Sequence, residues 1–236
     1  MEFRARFSIA VSSSFQPPSV NMLSLPAERF LLPEIRREVA VVDLLEVEVF
    51  KTQRQGMKMG LRASQTSEMI FKDCRIPKEN LLGQAGQGIP IAMTTFDHGR
   101  MGIAAQSIGI LQAAMDESVK YSKERVQFGT PIARHQAIAW MIADMATDLA
   151  AARFLTYYAA WLKDQKQPFS KEASMAKLFA SEAAMKHTTK AVQIHGGYGY
   201  IKGAKVERLM RDAKITEIYE GTSEAQRMVI SGNVLR

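Results

Sequence analysis

The sequence offers almost no means of covalent or metal cross-linking. Its 236 residues include a single cysteine, Cys74, which excludes an internal disulfide and a cysteine-based zinc site. No apolar run approaches the roughly 18 residues that a membrane-spanning helix requires, so we expect no insertion into a membrane. Aromatic residues make up only 8% of the chain, whereas 14 methionines favour a helical core with adaptable packing.

Positive charge is in excess, but it is spread along the chain rather than clustered. The formal net charge is +7, and residues 1–56 are neutral, so the whole excess falls in residues 57–236. The lysines and arginines stand singly among acids, without the dense clusters and interleaved aromatics of a nucleic-acid surface. This distribution argues against nucleic acid and fits a phosphate-bearing ligand at least as well.

The first 56 residues differ in composition from the rest. Arg4 and Arg6 among several serines are weakly typical of an organelle transit peptide, whereas Glu2 and the paired prolines at 17 and 18 argue against one. We therefore expect a poorly ordered start. Within this segment, residues 40–50 alternate enough to predict one strand.

The middle of the chain predicts a change from strands to helices. Residues 57–82 are typical of short strands and turns, and the glycine-rich run at 83–88 is a connector, since it lacks the lysine and hydroxyl residue of a P-loop. From residue 89 the apolar spacing becomes helical. The first apolar stripe consists of Met101, Ala104, Ile108, Leu111, Met115 and Val119. The second consists of Ile138, Met141, Met145, Leu149, Ala152 and Leu155.

The ends of these helices also have sequence signals. Residues 128–131 stop the first helix, and Ser170 is the predicted N-cap of an alanine-rich third helix. The glycines within residues 196–199 end that helix, and a short helix is predicted near residues 206–212. Thr222 and Ser223 cap the last helix. The class is mainly α, with an up-and-down four-helix bundle as the natural packing.

Glu220 is the most informative acidic residue. It follows the apolar residues Ile218 and Tyr219 and precedes Gly221, which permits a close turn. A carboxylate in low-polarity surroundings has the raised pKa that a general base needs. The alternative is a carboxylate that only favours the N-terminus of the following helix electrostatically. Spacing alone favours this second interpretation and leaves the first open.

Two further segments allow both a functional and a structural interpretation. The glycines of QIHGGYGY, residues 193–200, let a ligand approach the backbone, or serve only as a helix C-cap and turn. Arg125 at a helix end suits a pyrophosphate, or is a solvated arginine. The four histidines show no metal-site spacing, so we expect no metal and a surface or hydrogen-bonded role for each.

Several segments, in their order and spacing, resemble the acyl-CoA dehydrogenases over residues 57–236. The runs that carry the resemblance are RVQFGTPI at 125–132, HQAIAWMIADMA at 135–146, VQIHGGYGY at 192–200 and ERLMRDAKITEIYEGTSEAQR at 207–227. The run FDHGRMGIAAQSIGI at 96–110 and the glutamate of YEGT are most similar to the short-chain, butyryl-CoA type. Branched-chain and long-chain members place the base on the first long helix, where this sequence has Gly99.

This resemblance implies a reaction and a cofactor. Glu220 would remove the pro-R proton at Cα of a fatty acyl-CoA, a hydride would pass from Cβ to N5 of FAD, and the product would be a trans-2-enoyl-CoA. The backbone N–H of Glu220 and a ribityl hydroxyl of FAD would stabilise the enolate oxygen. The resemblance also implies a homotetramer, because FAD bridges subunits in this family, and electron-transfer flavoprotein as the electron acceptor.

The resemblance assigns site residues by matching position. Its cofactor-binding residues are Arg125, Gln136, Gln193, Ile194, His195, Gly196, Gly197, Thr222, Ser223 and Glu224. Its substrate-binding residues are Asp97, His98, Gly99, Arg100 and Gly221. The family usually has an apolar residue at the position of His195.

The resemblance also divides the chain. Residues 1–56 form an atypical, partly disordered segment, residues 57–84 are a remnant of a middle β-barrel domain, and residues 85–236 are the C-terminal four-helix bundle. The flavin-contacting loop and the tryptophan-containing strand of that barrel have no match in the sequence. We therefore expect weak FAD binding and poor or absent turnover by the chain in isolation.

Two alternatives to the dehydrogenase remain. One is an acyl-CoA oxidase-like relative, in which oxygen reaches the reduced flavin, and the other is a non-catalytic helical assembly module. The closing residues are more similar to bacterial members, which predicts the bacterial cytoplasm, with the mitochondrial matrix as the alternative.

Overall fold

A computed structural model describes residues 41–42, 51–54, 57–64, 66–70 and 80–236. The described residues divide between two compact units, one with those up to residue 58 and those between 62 and 95, the other with residues 59–61 and 96–236. The expected poorly ordered start and Cys74 lie outside the described residues, as does most of the strand expected over residues 40–50.

The first unit contains two short antiparallel strand pairs. β1 (Val41–Val42) pairs with β4 (Leu81–Leu82), and β2 (Lys51–Arg54) pairs with β3 (Ser67–Ile70). The strand-and-turn prediction for residues 57–82 is confirmed where the structure describes them. Residues 83–87 form bends and turns before the first helix, as expected of a connector.

Helices account for most of the described chain. They are α1 (Gly88–Glu124), α2 (Gln136–Asp164), α3 (Ser170–His195), α4 (Gly197–Tyr200), α5 (Lys205–Lys214) and α6 (Ser223–Val234). Short connections join the long helices, and α3 packs against α2, α5 and α6. This confirms the mainly α class and the helical bundle. Across the described ranges, none of these helices combines the length and apolarity needed to cross a bilayer.

The connection between α1 and α2 differs from the sequence-based expectation. The helix ends at Glu124, before residues 128–131, and a small hairpin of β5 (Val126–Gln127) and β6 (Thr130–Pro131) follows. Its two turn residues, Phe128 and Gly129, have φ angles of 54° and 76°. This double left-handed turn matches the twist of a two-residue hairpin, and it ends the helical path.

Two predicted helix signals have other roles. Ser170 is the first helical residue of α3 rather than its N-cap, which is Phe169. The Ser170 hydroxyl instead donates a hydrogen bond to Asp97 Oδ1 at 2.9 Å, because a partner on α1 is within reach. Gly196 does end α3, with a φ of 58°, but the next residues form the short helix α4 rather than an open turn.

The core is built around the small residues of α3. Ala176 and Ala180 pack with Ala104 of α1 and Ala152 of α2 in one buried cluster. Their methyl side chains allow close approach of the neighbouring helices, as the alanine-rich pattern predicts. The stripe positions Leu111, Met145 and Leu149 are buried as well. The close packing of α3 places its remaining side chains against the loop before α6.

We expect Ala180→Leu to destabilise the fold. Ala180 has no exposed surface, so three additional carbon atoms must force its neighbours apart. The expected loss is about 1–3 kcal/mol in the free energy of unfolding, measured by urea denaturation. Ala150→Leu, on the exposed side of α2, is the matched control and should change stability little. Equal losses in both variants would contradict close packing at α3.

Candidate active site

The central feature is the turn between α5 and α6. α5 passes into a 3-10 turn at Ile215–Glu217, and Glu220 and Gly221 then adopt φ angles of 55° and 91°. Thr222 follows as the N-cap of α6 and accepts a hydrogen bond from the N–H of Ala225 at 3.3 Å. This confirms Thr222 as the cap, while Ser223 is the first residue of the helix. Glu220 therefore lies in the short turn between the end of one helical segment and the start of the next.

Two side chains hold this turn from inside the protein. The Gly221 carbonyl oxygen accepts a hydrogen bond from Lys177 Nζ at 2.6 Å and another from Gln226 Nε2 at 2.9 Å. Gln226 Nε2 also donates to the Glu220 carbonyl oxygen at 3.2 Å. A Cβ atom at Gly221 would lie 2.7 Å from Gln226 Nε2, so position 221 requires glycine for space as well as for φ. The two peptide carbonyls that follow the Glu220 Cα are thus both hydrogen-bonded to buried side chains.

The Glu220 carboxyl group is poorly solvated. Its Oε2 atom is buried and has no hydrogen-bond partner among the described residues. Burial raises the pKa of Glu220 above its ordinary value, and the charges of Arg100 and Lys177 partly oppose that rise. A carboxylate that is both desolvated and unpaired is a strong proton acceptor. This arrangement favours the general-base interpretation over a simple helix-terminus charge.

The carboxyl group faces α1 at Gly99. A Cβ atom at position 99 would lie 2.4 Å from Glu220 Oε2, closer than any real contact. The space that a side chain at 99 would need is therefore occupied by the Glu220 carboxylate. The resemblance places the base of some other family members at position 99, which in this chain is glycine and borders the Glu220 carboxylate.

Arg100 is the buried cation beside this carboxylate. Its Nη1 donates to Asp97 Oδ1 at 2.5 Å and to the Ser174 hydroxyl at 3.3 Å, while its Nε is buried without a partner among the described residues. Burial lowers the pKa of Arg100, and the charges of Asp97 and Glu220 oppose that effect. The structure thus brings Asp97, Gly99, Arg100 and Gly221 around Glu220. His98 is exposed and stacks edge-on with Phe169 at 5.3 Å.

A second concave region lies at the end of α3. It is a groove of about 500 Å³, which includes five of the predicted cofactor residues, Arg125, Ile194, His195, Gly196 and Gly197. The His195 ring stacks on Tyr121 with centroids 4.3 Å apart, and its Nδ1 donates to the Ala191 carbonyl at 2.8 Å. A Cβ atom at Gly196 would meet nothing within 4 Å. The groove therefore combines a cation, aromatic rings and accessible backbone.

The remaining predicted cofactor residues lie elsewhere. Gln136 begins α2 and Gln193 lies near the end of α3, both exposed and neither lining the groove. Thr222, Ser223 and Glu224 lie at the start of α6, next to Glu220. The Ser223 hydroxyl is buried without a partner in the described part of the chain. The predicted cofactor residues thus divide between the groove and the turn, with Gln136 and Gln193 outside both.

Lys177 and Gln226 were not among the residues predicted from the sequence. Both are fully buried, and both donate to the turn backbone. Lys177 is the only lysine or arginine among the buried residues of α3, where alanines and serines surround it. A lone positive charge on an alanine face is the signal that could have singled it out. Gln226 offered no comparable signal, because a glutamine in the first turns of a helix is ordinary.

The other titratable side chains have structural roles. The Tyr219 hydroxyl donates to Gln106 Oε1, and burial raises the pKa of Tyr219 to about 12. His187 is buried with its Nε2 2.7 Å from Asp148 Oδ2. Within the described ranges, no group of three or more histidine, cysteine, aspartate or glutamate residues could hold a metal ion.

Comparison with known proteins identifies this helical domain. The family pattern described as "Acyl-CoA dehydrogenase, C-terminal domain" matches residues 86–235. The match covers more than half of the sequence, and the chain belongs to the acyl-CoA dehydrogenase family.

Individual relatives and structures are also close. The chain is 58% identical over 179 residues to "Short-chain specific acyl-CoA dehydrogenase, mitochondrial" of Rattus norvegicus, which covers 76% of this chain and 43% of that protein. It is 58% identical over 179 residues to "Caffeyl-CoA reductase-Etf complex subunit CarC" of Acetobacterium woodii, covering 76% and 47%. The structure of butyryl-CoA dehydrogenase from Megasphaera elsdenii superposes with a TM-score of 0.80 at 47% identity, covering 85% of this chain and 53% of that one. The chain therefore spans about half the length of these proteins.

Replacing Glu220 with glutamine should stabilise the protein at neutral and alkaline pH. Because the pKa of Glu220 is raised in the folded protein, ionisation of Glu220 destabilises the fold. This destabilisation is complete above the folded-state pKa and absent below the ordinary pKa of a glutamate in the unfolded chain. The melting temperature of Glu220→Gln should exceed that of the wild type at about pH 8, and the difference should shrink towards about pH 4.

Glu224 provides a control of opposite sign. Hydrogen bonding to its own backbone N–H and to Thr222 lowers the pKa of Glu224, which is fully exposed. Ionised Glu224 therefore contributes stability above its ordinary pKa, and that contribution is lost as the pH falls through the folded value. Glu224→Gln should lower the melting temperature at about pH 8, with a smaller effect in acid. The same sign for both variants at pH 8 would contradict the burial of Glu220.

Proposed function

We propose that this chain takes part in the flavin-dependent α,β-dehydrogenation of short-chain fatty acyl-CoA to trans-2-enoyl-CoA. The observation that carries the proposal is the desolvated Glu220 carboxyl group, whose Oε2 lacks a partner in the described residues and faces Gly99. The similarity to short-chain and butyryl-CoA enzymes supports the substrate class. The roles of individual residues belong to the same proposal.

Glu220 acts as the general base. The α-proton of a thioester is weakly acidic, so the base must be desolvated yet ionised when the substrate arrives. Burial provides the desolvation, and the nearby charges of Arg100 and Lys177 favour the ionised form. The fixed left-handed backbone at Glu220 and Gly221 holds the carboxylate in one place. Asp97 and Arg100 shape the acyl-CoA side of the same site, and the Glu220 N–H is the proposed donor to the enolate oxygen.

The residues of the chain fit FAD as the cofactor. The groove at the end of α3 offers Arg125 and the open backbone of Gly196 to a dinucleotide. At the turn, the buried Ser223 hydroxyl has no partner in the described residues and is the proposed polar contact on the flavin side. Gln136, Gln193, Ile194, His195 and Gly197 complete the dinucleotide side, and Thr222 and Glu224 complete the flavin side. FAD, when bound, supplies the redox chemistry by accepting a hydride from the substrate.

A homotetramer and an electron-transfer flavoprotein are the proposed partners. The resemblance implies that FAD bridges two subunits. This agrees with the predicted cofactor residues, since they lie at separate places in one chain. α2 also exposes Trp140, Phe154, Tyr157 and Trp161, each with more than half of its surface accessible. Such a surface is typical of an interface between chains. The Etf complex in the name of the Acetobacterium woodii relative supports the electron acceptor.

The reverse reaction is a second candidate. The Acetobacterium woodii relative is named as a reductase of a CoA thioester and is as similar to this chain as the rat dehydrogenase. Glu220 in its protonated form would then return a proton to Cα of an enoyl-CoA, and FAD, after reduction by an external electron donor, would supply the hydride for Cβ. Assays in both directions separate the two candidates. For the compartment, the bacterial cytoplasm stays our prediction and the mitochondrial matrix the alternative.

The proposal predicts a spectroscopic change that depends on Glu220. With FAD in excess, because binding is expected to be weak, anaerobic butyryl-CoA should bleach the long-wavelength flavin band. In Glu220→Gln the rate of bleaching should fall by about 10²–10⁴-fold, because proton removal loses its base, while bound FAD is unchanged. Equal bleaching in both proteins would remove Glu220 from its role. A wild type in which butyryl-CoA does not bleach oxidised flavin and an enoyl-CoA does not restore the band of reduced flavin would contradict the proposed function.

A second prediction concerns the space in front of the carboxylate. Gly99→Ala should slow bleaching by about 100-fold, because the new Cβ displaces Glu220 Oε2 from its position. Gly102→Ala, one turn further along the exposed side of α1, meets nothing within 4 Å. This control should keep the wild-type rate and gain about 0.5–1 kcal/mol in stability from the better helix former. A wild-type rate in Gly99→Ala would contradict the placement of the carboxylate.

A further inference from the structure

Lys177 carries a positive charge that its place in the packed core does not require. Its side chain is fully buried in the alanine face of α3, and its Nζ donates to the Gly221 carbonyl at 2.6 Å. A buried ammonium group is costly unless it is paired, and the same carbonyl already accepts a bond from Gln226. A methionine could fill the same volume without a charge. The presence of a cation at this point therefore calls for a role other than packing.

The charges that face Lys177 are mostly acidic. Glu217, Glu220 and Glu224 raise its proton affinity, whereas Arg100 lowers it. Burial is the largest effect and lowers the pKa of Lys177 to about 8, so the side chain is still protonated at neutral pH. In return, Lys177 and Arg100 are the two cations that lower the pKa of Glu220. Arg100 already has the Asp97 carboxylate as its partner, whereas Lys177 bonds a neutral carbonyl.

We propose that Lys177 is a positioning residue for Glu220, holding the left-handed Glu220–Gly221 turn through the Gly221 carbonyl and keeping the buried carboxylate ionised by its positive charge. The proposal rests on the proposed function, in which Glu220 must be both desolvated and unprotonated. Burial alone would favour the neutral acid, which cannot accept a proton. Lys177 thus favours the ionised form of a carboxyl group that burial would otherwise keep neutral, from its position at the Gly221 carbonyl.

The test measures the protonation of Glu220 itself. It uses NMR of protein labelled with ¹³C at the glutamate side-chain carboxyl. The Glu220 signal is assigned by its loss in Glu220→Gln. In Lys177→Met the midpoint of the Glu220 titration should move to higher pH, because a positive charge has been removed. Gln226→Met removes the other donor to the same carbonyl but no charge, and should leave the midpoint near that of the wild type. Lys190→Met, an exposed lysine on the same helix, should do the same.

Two outcomes of this comparison overturn the proposal. One is an unchanged Glu220 midpoint in Lys177→Met. The other is an equal shift in Lys177→Met and Gln226→Met, which would mean that turn geometry alone sets the ionisation. If Lys177→Met does not fold, the wild type still provides a test. Its Glu220 signal should show a second inflection where Lys177 loses its proton, below the ordinary range for lysine because Lys177 is buried, and the absence of any second inflection above neutrality contradicts the proposal.

Kinetics separate this proposal from the proposed function. Lys177→Met should slow bleaching by butyryl-CoA by about 10–100-fold through the rate of reduction, with little change in the substrate concentration at half-saturation. If Glu220→Gln bleaches as fast as the wild type, the proposed function fails whatever the NMR shows. If Glu220→Gln is inactive and the Lys177→Met midpoint does not move, only the Lys177 proposal fails.

Discussion

The hydrogen bonds to the Gly221 carbonyl oxygen are the constraint on which the candidate site depends. They join the middle of α3, through Lys177, to the start of α6, through Gln226. At this carbonyl the chain turns through two consecutive residues of positive φ, Glu220 and Gly221. Glycine adopts such a φ at low energetic cost. The hydrogen bonds to the Glu220 and Gly221 carbonyls stabilise the unfavourable left-handed conformation of Glu220. The packing of the helical bundle therefore stabilises the strained backbone of this turn.

The fold makes this arrangement possible through the small residues of α3. Alanines along its buried face pack against α1 and α2, and α3 also contacts α6. Gly99 and Lys177 thereby approach the Glu220–Gly221 turn. Within this arrangement the Glu220 Oε2 atom is buried. Desolvation raises its proton affinity, and the two nearby cations limit that rise. A group tuned by opposing effects of this kind is characteristic of acid–base sites.

Helices and their order could be predicted from the sequence, because apolar spacing and capping residues are local signals. The stripe through Leu111 and the stripe through Met145 and Leu149 point into the core as predicted, and Thr222 caps α6. Ser170 was predicted as a cap because its type favours caps, but the nearby Asp97 carboxylate attracts its hydroxyl instead. The hairpin after α1 was missed because its strands are only two residues long. Glu220 was recognised through the motif, whereas Lys177 depends on a contact 44 residues away in sequence that no local pattern reveals.

The central claim is that Glu220 is a desolvated carboxylate that accepts a proton at neutral pH. The most direct measurement is the protonation midpoint of Glu220 in the wild-type protein, from the pH dependence of its ¹³C-labelled carboxyl signal. The account predicts a midpoint above the ordinary value of 4.5, because burial raises the pKa of Glu220. A midpoint at or below 4.5 would show a solvated or fully paired carboxylate and would contradict the account.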